Sequence, residues 1–74
     1  MKKVFFSFWI EAGFSSRISN MALSVEKWND TEYDISEAER RITNLIRKDP
    51  SDPNHDLRSE LSDVRIIFWK ELSA

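Results

Sequence analysis

The side chains that could carry out chemistry are few and lie far apart in the chain. His55 is the single histidine and lies in a polar stretch, and the chain has no cysteine. A metal centre or an activated nucleophile needs a second histidine or a thiolate beside such a residue. We therefore expect His55 to be a solvated loop residue or a helix-start residue, and we expect neither a metal nor a cofactor.

Carboxylates are more frequent, and they are concentrated in one segment. Six acidic residues against Lys27 give positions 26–39 a local charge of −5 (1 − 6): Glu26, Asp30, Glu32, Asp34, Glu37 and Glu39. No spacing places two carboxylates in an apolar pocket, which would raise the pKa of one of them as general acid catalysis needs. Such an acidic patch could attract a basic protein surface or mimic nucleic acid. It could also simply stabilise the start of a helix.

Length and composition restrict the remaining possibilities. The 74 residues predict one small domain, 1–74, with a net charge of −2. This charge gives no general attraction to nucleic acid or anionic membranes. One glycine cannot form a glycine-rich phosphate loop, and no apolar run approaches the roughly 20 residues that span a bilayer. We expect a soluble cytoplasmic protein that is not an enzyme.

The opening stretch, 2–14, is the element that must organise the chain. It contains a dense apolar run: Val4, Phe5, Phe6, Phe8, Trp9 and Ile10. Apolar residues at both odd and even positions are typical of a central strand. The only glycine, Gly13, then predicts a hairpin turn. The next segment, from Arg17 to Trp28, fits both a helix and a strand, and we favour a strand because the first strand needs a partner.

The clearest helix follows a connection at Trp28–Thr31 and ends before Asp49. Asp34 and Ser36 are favourable N-caps, and Glu37 and Glu39 follow them at capping-box spacing. One apolar stripe predicts the buried side of this helix: Ile35, Ala38, Ile42, Leu45 and Ile46.

Two interpretations remain for the end of the chain. One has a short helix carrying Leu57 and Leu61, followed by a third strand from Asp63 to Lys70 that resembles the first. The other is one long helix from Asn54 to Leu72, because apolar residues also recur there at helical spacing.

The first interpretation predicts an α+β fold: a three-stranded antiparallel sheet in the order 2-1-3, with the main helix on one face and a short second helix. The predicted helix-covered face comprises Val4, Phe6, Phe8, Ile10, Val64, Ile66 and Phe68. The predicted opposite face comprises Phe5, Ser7, Trp9, Arg65, Ile67 and Trp69. One helix cannot cover both faces, so the second stays open unless the Trp28 connection or the short helix folds over it.

An uncovered apolar face predicts a protein-binding module that self-associates as a dimer or docks on another protein. The predicted contact residues are Phe5, Trp9, Arg65, Ile67 and Trp69. The alternative is single-stranded nucleic-acid binding by base stacking on these aromatic side chains. Four basic residues that would favour it lie on the predicted helix, away from that face: Arg40, Arg41, Arg47 and Lys48.

Four segments together resemble small phage- or prophage-encoded accessory proteins: 6–11 (FSFWIE), 19–23 (SNMAL), 31–35 (TEYDI) and 66–72 (IIFWKEL). The likeness is one of residue types and covers most of the chain, although the loop 49–61 is longer than in that group. The resemblance implies a compact, non-catalytic protein that docks on a host factor, such as a defence system. It carries over no individual functional residue.

Overall fold

Three strands and one helix form the fold in the computed structural model, which describes residues 1–72. The elements are β1 (Lys2–Ala12), β2 (Ser15–Val25), α1 (Glu32–Lys48), a 3-10 turn (His55–Leu57) and β3 (Leu61–Leu72). The strands form one antiparallel sheet in the order β2-β1-β3. The predicted α+β architecture and strand order are confirmed, and the ambiguous second segment is a strand.

The core lies between the sheet and α1. Strand β1 alternates completely buried residues with half-buried ones, and its even positions from Val4 to Ile10 have no exposed surface. Helix α1 presents Ala38, Ile42 and Ile46 to this layer. Because β1 has a partner on each side, its backbone polar groups are paired while both neighbours contribute to the same core.

The β1–β2 hairpin depends on Gly13. This residue has φ 59°, and the two-residue loop Gly13–Phe14 joins strands paired through Ala12 and Ser15. A positive φ at the first loop position is the requirement of a type II′ turn. Gly13 also donates its N–H to the Glu60 carbonyl at 3.0 Å, and a Cβ at this position would lie 2.6 Å from Glu60 Oε2. The positive φ of the turn therefore favours glycine, whereas the Glu60 carboxylate is the end of a flexible, exposed side chain that can move aside.

Helix α1 begins earlier than predicted. Thr31 is the N-cap: its Oγ1 accepts a hydrogen bond from the Asp34 N–H at 3.1 Å, and the Asp34 carboxylate accepts one from the Thr31 N–H. The prediction of Asp34 or Ser36 as N-cap, with Glu37 or Glu39 completing the box, was therefore wrong. Aspartate at the third helical position performs the task that glutamate usually does. The predicted end before Asp49 is confirmed.

The end of the chain is a strand, so the single helix from Asn54 to Leu72 is excluded. The predicted short second helix is reduced to the 3-10 turn, and Leu61 instead opens β3. Hydrogen bonds from an N–H to the carbonyl three residues earlier hold this segment in turns. Examples are Asp52 N–H to Asp49 O and Leu57 N–H to Asn54 O. Such bonds build short 3-10 pieces rather than a helix that can continue.

A one-residue bulge in β3 changes which residues share a face. Phe8 pairs with Ile66, but Ser7 pairs with Phe68, so Ile67 is the extra residue. Beyond the bulge the alternation reverses: Trp69 pairs with Phe6 and packs against the core, while Phe68 is exposed. The predicted face assignments of Phe68 and Trp69 were therefore wrong, since they assumed a regular ladder.

Deleting Ile67 is expected to leave the fold intact. The flanking pairs of Ile66 with Phe8 and Phe68 with Ser7 would then follow one another without interruption. We expect the thermal midpoint to change by only a few degrees, about 1 kcal/mol or less. Deletion of Ser7 from β1 is the control. It reverses the alternation on one side of the deletion, so part of the buried β1 side chains would turn to the other face, and the protein should not fold. If the Ile67 deletion also unfolds the protein, the β1–β3 register is contradicted.

A candidate docking face on the sheet

The sheet surface opposite α1, which we call the open face, is apolar at its centre. Its apolar members are Phe5 and Trp9 of β1, Ile18 and Ala22 of β2 and Phe68 of β3, with the exposed bulge residue Ile67 beside them. Ile18 is 59% exposed, Ile67 52% and Phe68 51%, whereas Phe5 and Trp9 at the centre are half-buried by their neighbours. Contiguous exposed aromatic and aliphatic side chains of this kind mark association sites.

The segments that could have covered this face pack on the other side. Trp28 is 4% exposed and lies edge-on to Phe6, with ring centroids 5.3 Å apart. Leu57 and Leu61 pack against the same core cluster beneath α1. The alternative in which the Trp28 connection or the short helix shelters the second face was therefore wrong.

Polar side chains within the open face already satisfy one another. The Ser7 hydroxyl donates to Asn20 Oδ1 at 2.7 Å, and Trp9 Nε1 donates to Glu11 Oε1 at 3.0 Å. Burying a polar group costs little when its hydrogen bond is retained, and considerably more when it is left without a partner. A partner could thus exclude water from this face without leaving these donors unpaired.

The predicted contact residues divide between the two faces. Phe5, Trp9, Arg65 and Ile67 lie on or beside the open face, with Arg65 exposed, paired with Trp9 across the strands and 3.2 Å from Asp63. Trp69 lies on the core side. Sequence reasoning omitted Phe68 and Ile18. The alternation of β2 could have revealed Ile18, which follows directly from its pairing with Trp9.

The contacts of Trp69 stabilise the fold rather than the open face. Its Nε1 donates to Asp30 Oδ1 at 2.9 Å, and its ring lies edge-on to Trp28 at a centroid distance of 6.4 Å. Asp30 reaches this position with φ 57°, a left-handed conformation that aspartate tolerates better than most residues. The Trp28 connection is therefore held by aromatic packing on one side and by a hydrogen bond on the other.

Four residues of the predicted acidic patch have partners within the fold. Asp30 accepts from Trp69, Asp34 caps α1, Glu37 contacts Arg40, and Glu39 Oε2 accepts the Ile66 N–H at 2.8 Å. Glu26 and Glu32 are exposed. Hydrogen bonds from the Asn29 backbone and Thr31 lower the pKa of Asp34, and the Arg40 guanidinium lowers the pKa of Glu37. The patch is in large part a set of structural contacts.

Acid should weaken the start of α1. Because the folded-state pKa of Asp34 lies below its ordinary value, the stabilisation is complete above the ordinary pKa and is lost as pH falls. We expect the urea midpoint to decrease between about pH 5 and about pH 3, and the decrease to be smaller in Asp34→Asn. Glu32→Gln, an exposed carboxylate in the same turn, is the control. An Asp34→Asn profile as steep as that of the wild type would contradict the capping assignment.

A second polar cluster fastens the 49–60 loop to β2. Arg17 donates to both Asp56 oxygens, at 3.1 and 3.0 Å, and to Asn54 Oδ1 at 3.2 Å. Asn54 is buried and donates to Ser19 Oγ. His55 begins the 3-10 turn, as one of its two predicted roles, and is half-buried rather than solvated, with its Nδ1 2.8 Å from the Ile46 carbonyl oxygen. These contacts anchor the loop to β2 and, through His55, to α1.

A groove of about 680 Å³ lies between the end of β2 and the start of α1. Two of its carboxylates, Asp34 and Glu37, have lowered pKa values, whereas a general acid needs a raised one. Within residues 1–72, no cluster of three or more histidine or acidic side chains could hold a metal. In the same range, no helix combines the length and apolar character needed to cross a membrane.

Comparison with known proteins finds no match, whether to a family model, a curated protein or a solved structure.

Proposed function

We propose that this protein is a non-catalytic binding module that docks on another protein through the open face. The observation that supports it is the uncovered aromatic and aliphatic surface formed by Phe5, Trp9, Ile18, Ile67 and Phe68. The resemblance to phage accessory proteins fits such a role, with a host protein or a second copy as the partner.

The composition of the open face favours a protein partner energetically. Aromatic side chains are enriched among residues that dominate interfaces, and truncating such a residue costs about 2 kcal/mol or more. Trp9 and Phe5 are central and flanked by Ile18 and Phe68, so a partner would surround them and exclude water. The Ser7 hydroxyl is already paired with Asn20 Oδ1, so burying this hydroxyl leaves no unpaired hydroxyl donor.

Nucleic acid is the weaker alternative for the same aromatic side chains. Lys3, Lys70 and Arg65 lie on this side of the sheet, but Glu11 and Asp63 lie there too, and the whole chain carries a charge of −2. Binding of single strands depends on a continuous basic groove that follows the phosphates. The open face has interrupted charge and a continuous apolar centre, as a protein interface does.

The proposal is tested by comparing matched double variants. Trp9→Ser with Phe68→Ser removes two aromatic side chains from the open face. Phe14→Ser with Tyr33→Ser removes two exposed aromatic side chains from the hairpin tip and α1. Each tagged protein is incubated with an extract of the native host cell. Every captured protein is then purified and its affinity measured by calorimetry.

We expect the pure partner to bind the wild type and the control variant alike, and the open-face variant at least about 30-fold more weakly. Equal affinity for all three proteins would refute the proposed surface. A salt titration with mixed single-stranded oligonucleotides completes the test, because tight binding that weakens steeply with salt would favour the nucleic-acid alternative.

A further inference from the structure

We infer that a second copy of this chain occupies the open face, in a two-fold arrangement with the two β1 strands antiparallel. This inference rests on the proposed docking function and names its partner. Two-fold dimers use the same patch on both subunits, so that patch must be complementary to itself. The charges at the two ends of the open face meet this condition.

The central strand shows the pattern most clearly. Along β1 the residues facing the open side run Lys3, Phe5, Ser7, Trp9 and Glu11. A basic residue thus lies at one end, an acidic residue at the other, and an apolar stretch between them. A two-fold axis across the strands at Ser7 places Lys3 opposite Glu11 of the second copy, and Phe5 opposite its Trp9.

The other face-to-face orientation is unfavourable. With the axis parallel to the strands, Lys3 would face Lys3 and Glu11 would face Glu11 of the second copy. Like charges opposed across an interface oppose association, whereas complementary charges steer it and select one register. The charge order along β1 therefore selects the antiparallel arrangement.

Charges on β3 follow the same polarity with one local exception. Lys70 pairs with Phe5 near the basic end, and Asp63 pairs with Glu11 at the acidic end. Arg65 lies between them on β3. Because it pairs with Trp9 and Lys70 pairs with Phe5, it would face Lys70 of the second copy. Its guanidinium is 3.2 Å from Asp63 Oδ2, which offsets its charge.

Association through the face is also favoured over pairing along the sheet edges. Arg41 of α1 donates to the Ser24 carbonyl of β2 at 2.9 Å, and Glu39 accepts the Ile66 N–H of β3. Each outer strand thus has one backbone group already bonded to a helix side chain. Charged and occupied edges hinder the addition of another strand.

The small area of the open face limits how tightly two copies can associate. The molecule is 35 Å long, and three strands about 4.8 Å apart give a face of roughly 500 Å² per copy. The resulting total of about 1,000 Å² lies at the lower limit of specific interfaces. We therefore expect a weak, reversible dimer.

The test reverses the charges at the two ends of β1 and measures association by sedimentation equilibrium. Lys3→Glu alone and Glu11→Lys alone each oppose like charges, and each should weaken the dimer roughly tenfold. An equimolar mixture of the two single variants should associate as the wild type does. The double variant Lys3→Glu with Glu11→Lys should also dimerise, because its two ends remain complementary. Circular dichroism verifies that every variant is folded.

A wild type that stays monomeric at millimolar concentration would overturn the inference, as would single variants that dimerise normally. Lack of rescue in both the mixture and the double variant would exclude the antiparallel arrangement. The proposed docking function fails separately, when the Trp9→Ser, Phe68→Ser variant binds every purified partner, including a second copy, as tightly as the wild type does. If the protein is a monomer but still binds a different protein through this face, only the dimer inference fails and the docking proposal stands.

Discussion

Replacing Phe8 with alanine is expected to remove a large part of the stability of the fold. Phe8 has no exposed surface and lies at the centre of β1, beneath α1. Truncating such a residue costs about 3–5 kcal/mol, while 74 residues at about 0.05–0.15 kcal/mol each give a total of about 4–11 kcal/mol. Urea denaturation followed by circular dichroism should show a midpoint at much lower urea than that of the wild type.

Phe5→Ala is the matched control, because it removes the same side chain from the same strand on the other face. Phe5 is half-buried and pairs with Ala22 and Lys70. We expect a clearly smaller loss than for Phe8→Ala, about 1–2 kcal/mol. If the two variants are equally destabilised, both sheet faces are buried, and the open face does not exist in solution.

The second large effect is expected for Trp28→Ala. Trp28 is 4% exposed and lies edge-on to both Phe6 and Trp69, so it closes the core where the β2–α1 connection crosses. Loss of this ring leaves a cavity and should cost about 3–5 kcal/mol in the free energy of unfolding. The urea midpoint measured by circular dichroism gives the cost directly.

Trp28→Phe is the informative companion variant. The Nε1 of Trp28 is buried without a hydrogen-bond partner among the described residues, and an unpaired buried donor is itself unfavourable. Phenylalanine keeps much of the packing and removes this donor, so we expect a loss less than half that of alanine. Equal losses for both variants would show that the indole N–H has a partner that stabilises the fold.

The element types followed from local patterns in the chain. The dense apolar run in β1 could only be buried in the middle of a sheet, and the stripe from Ile35 to Ile46 indicated one amphipathic helix. Neither pattern depends on distant residues. The choice of β2 as a strand already needed a non-local reason, the hydrogen-bonding demand of β1.

Face assignment in β3 could not be predicted in the same way. A bulge at Ile67 leaves no local signal, because Ile66 and Ile67 are identical residues and only pairing with β1 decides which one is extra. Its consequence is large for the site, since it moves Trp69 to the core and Phe68 to the open face. The Thr31 cap was missed for a simpler reason: aspartate replaced glutamate in the capping box.

The most direct test of the open face is hydroxyl-radical footprinting with mass spectrometry on the dilute protein. We predict rapid oxidation of Phe68 and measurable oxidation of Phe5 and Trp9, while Phe6 and Phe8 stay protected. Raising the protein concentration or adding a partner should then protect the first three residues selectively. Protection of Phe5, Trp9 and Phe68 equal to that of Phe6 in the dilute protein would contradict an uncovered sheet face.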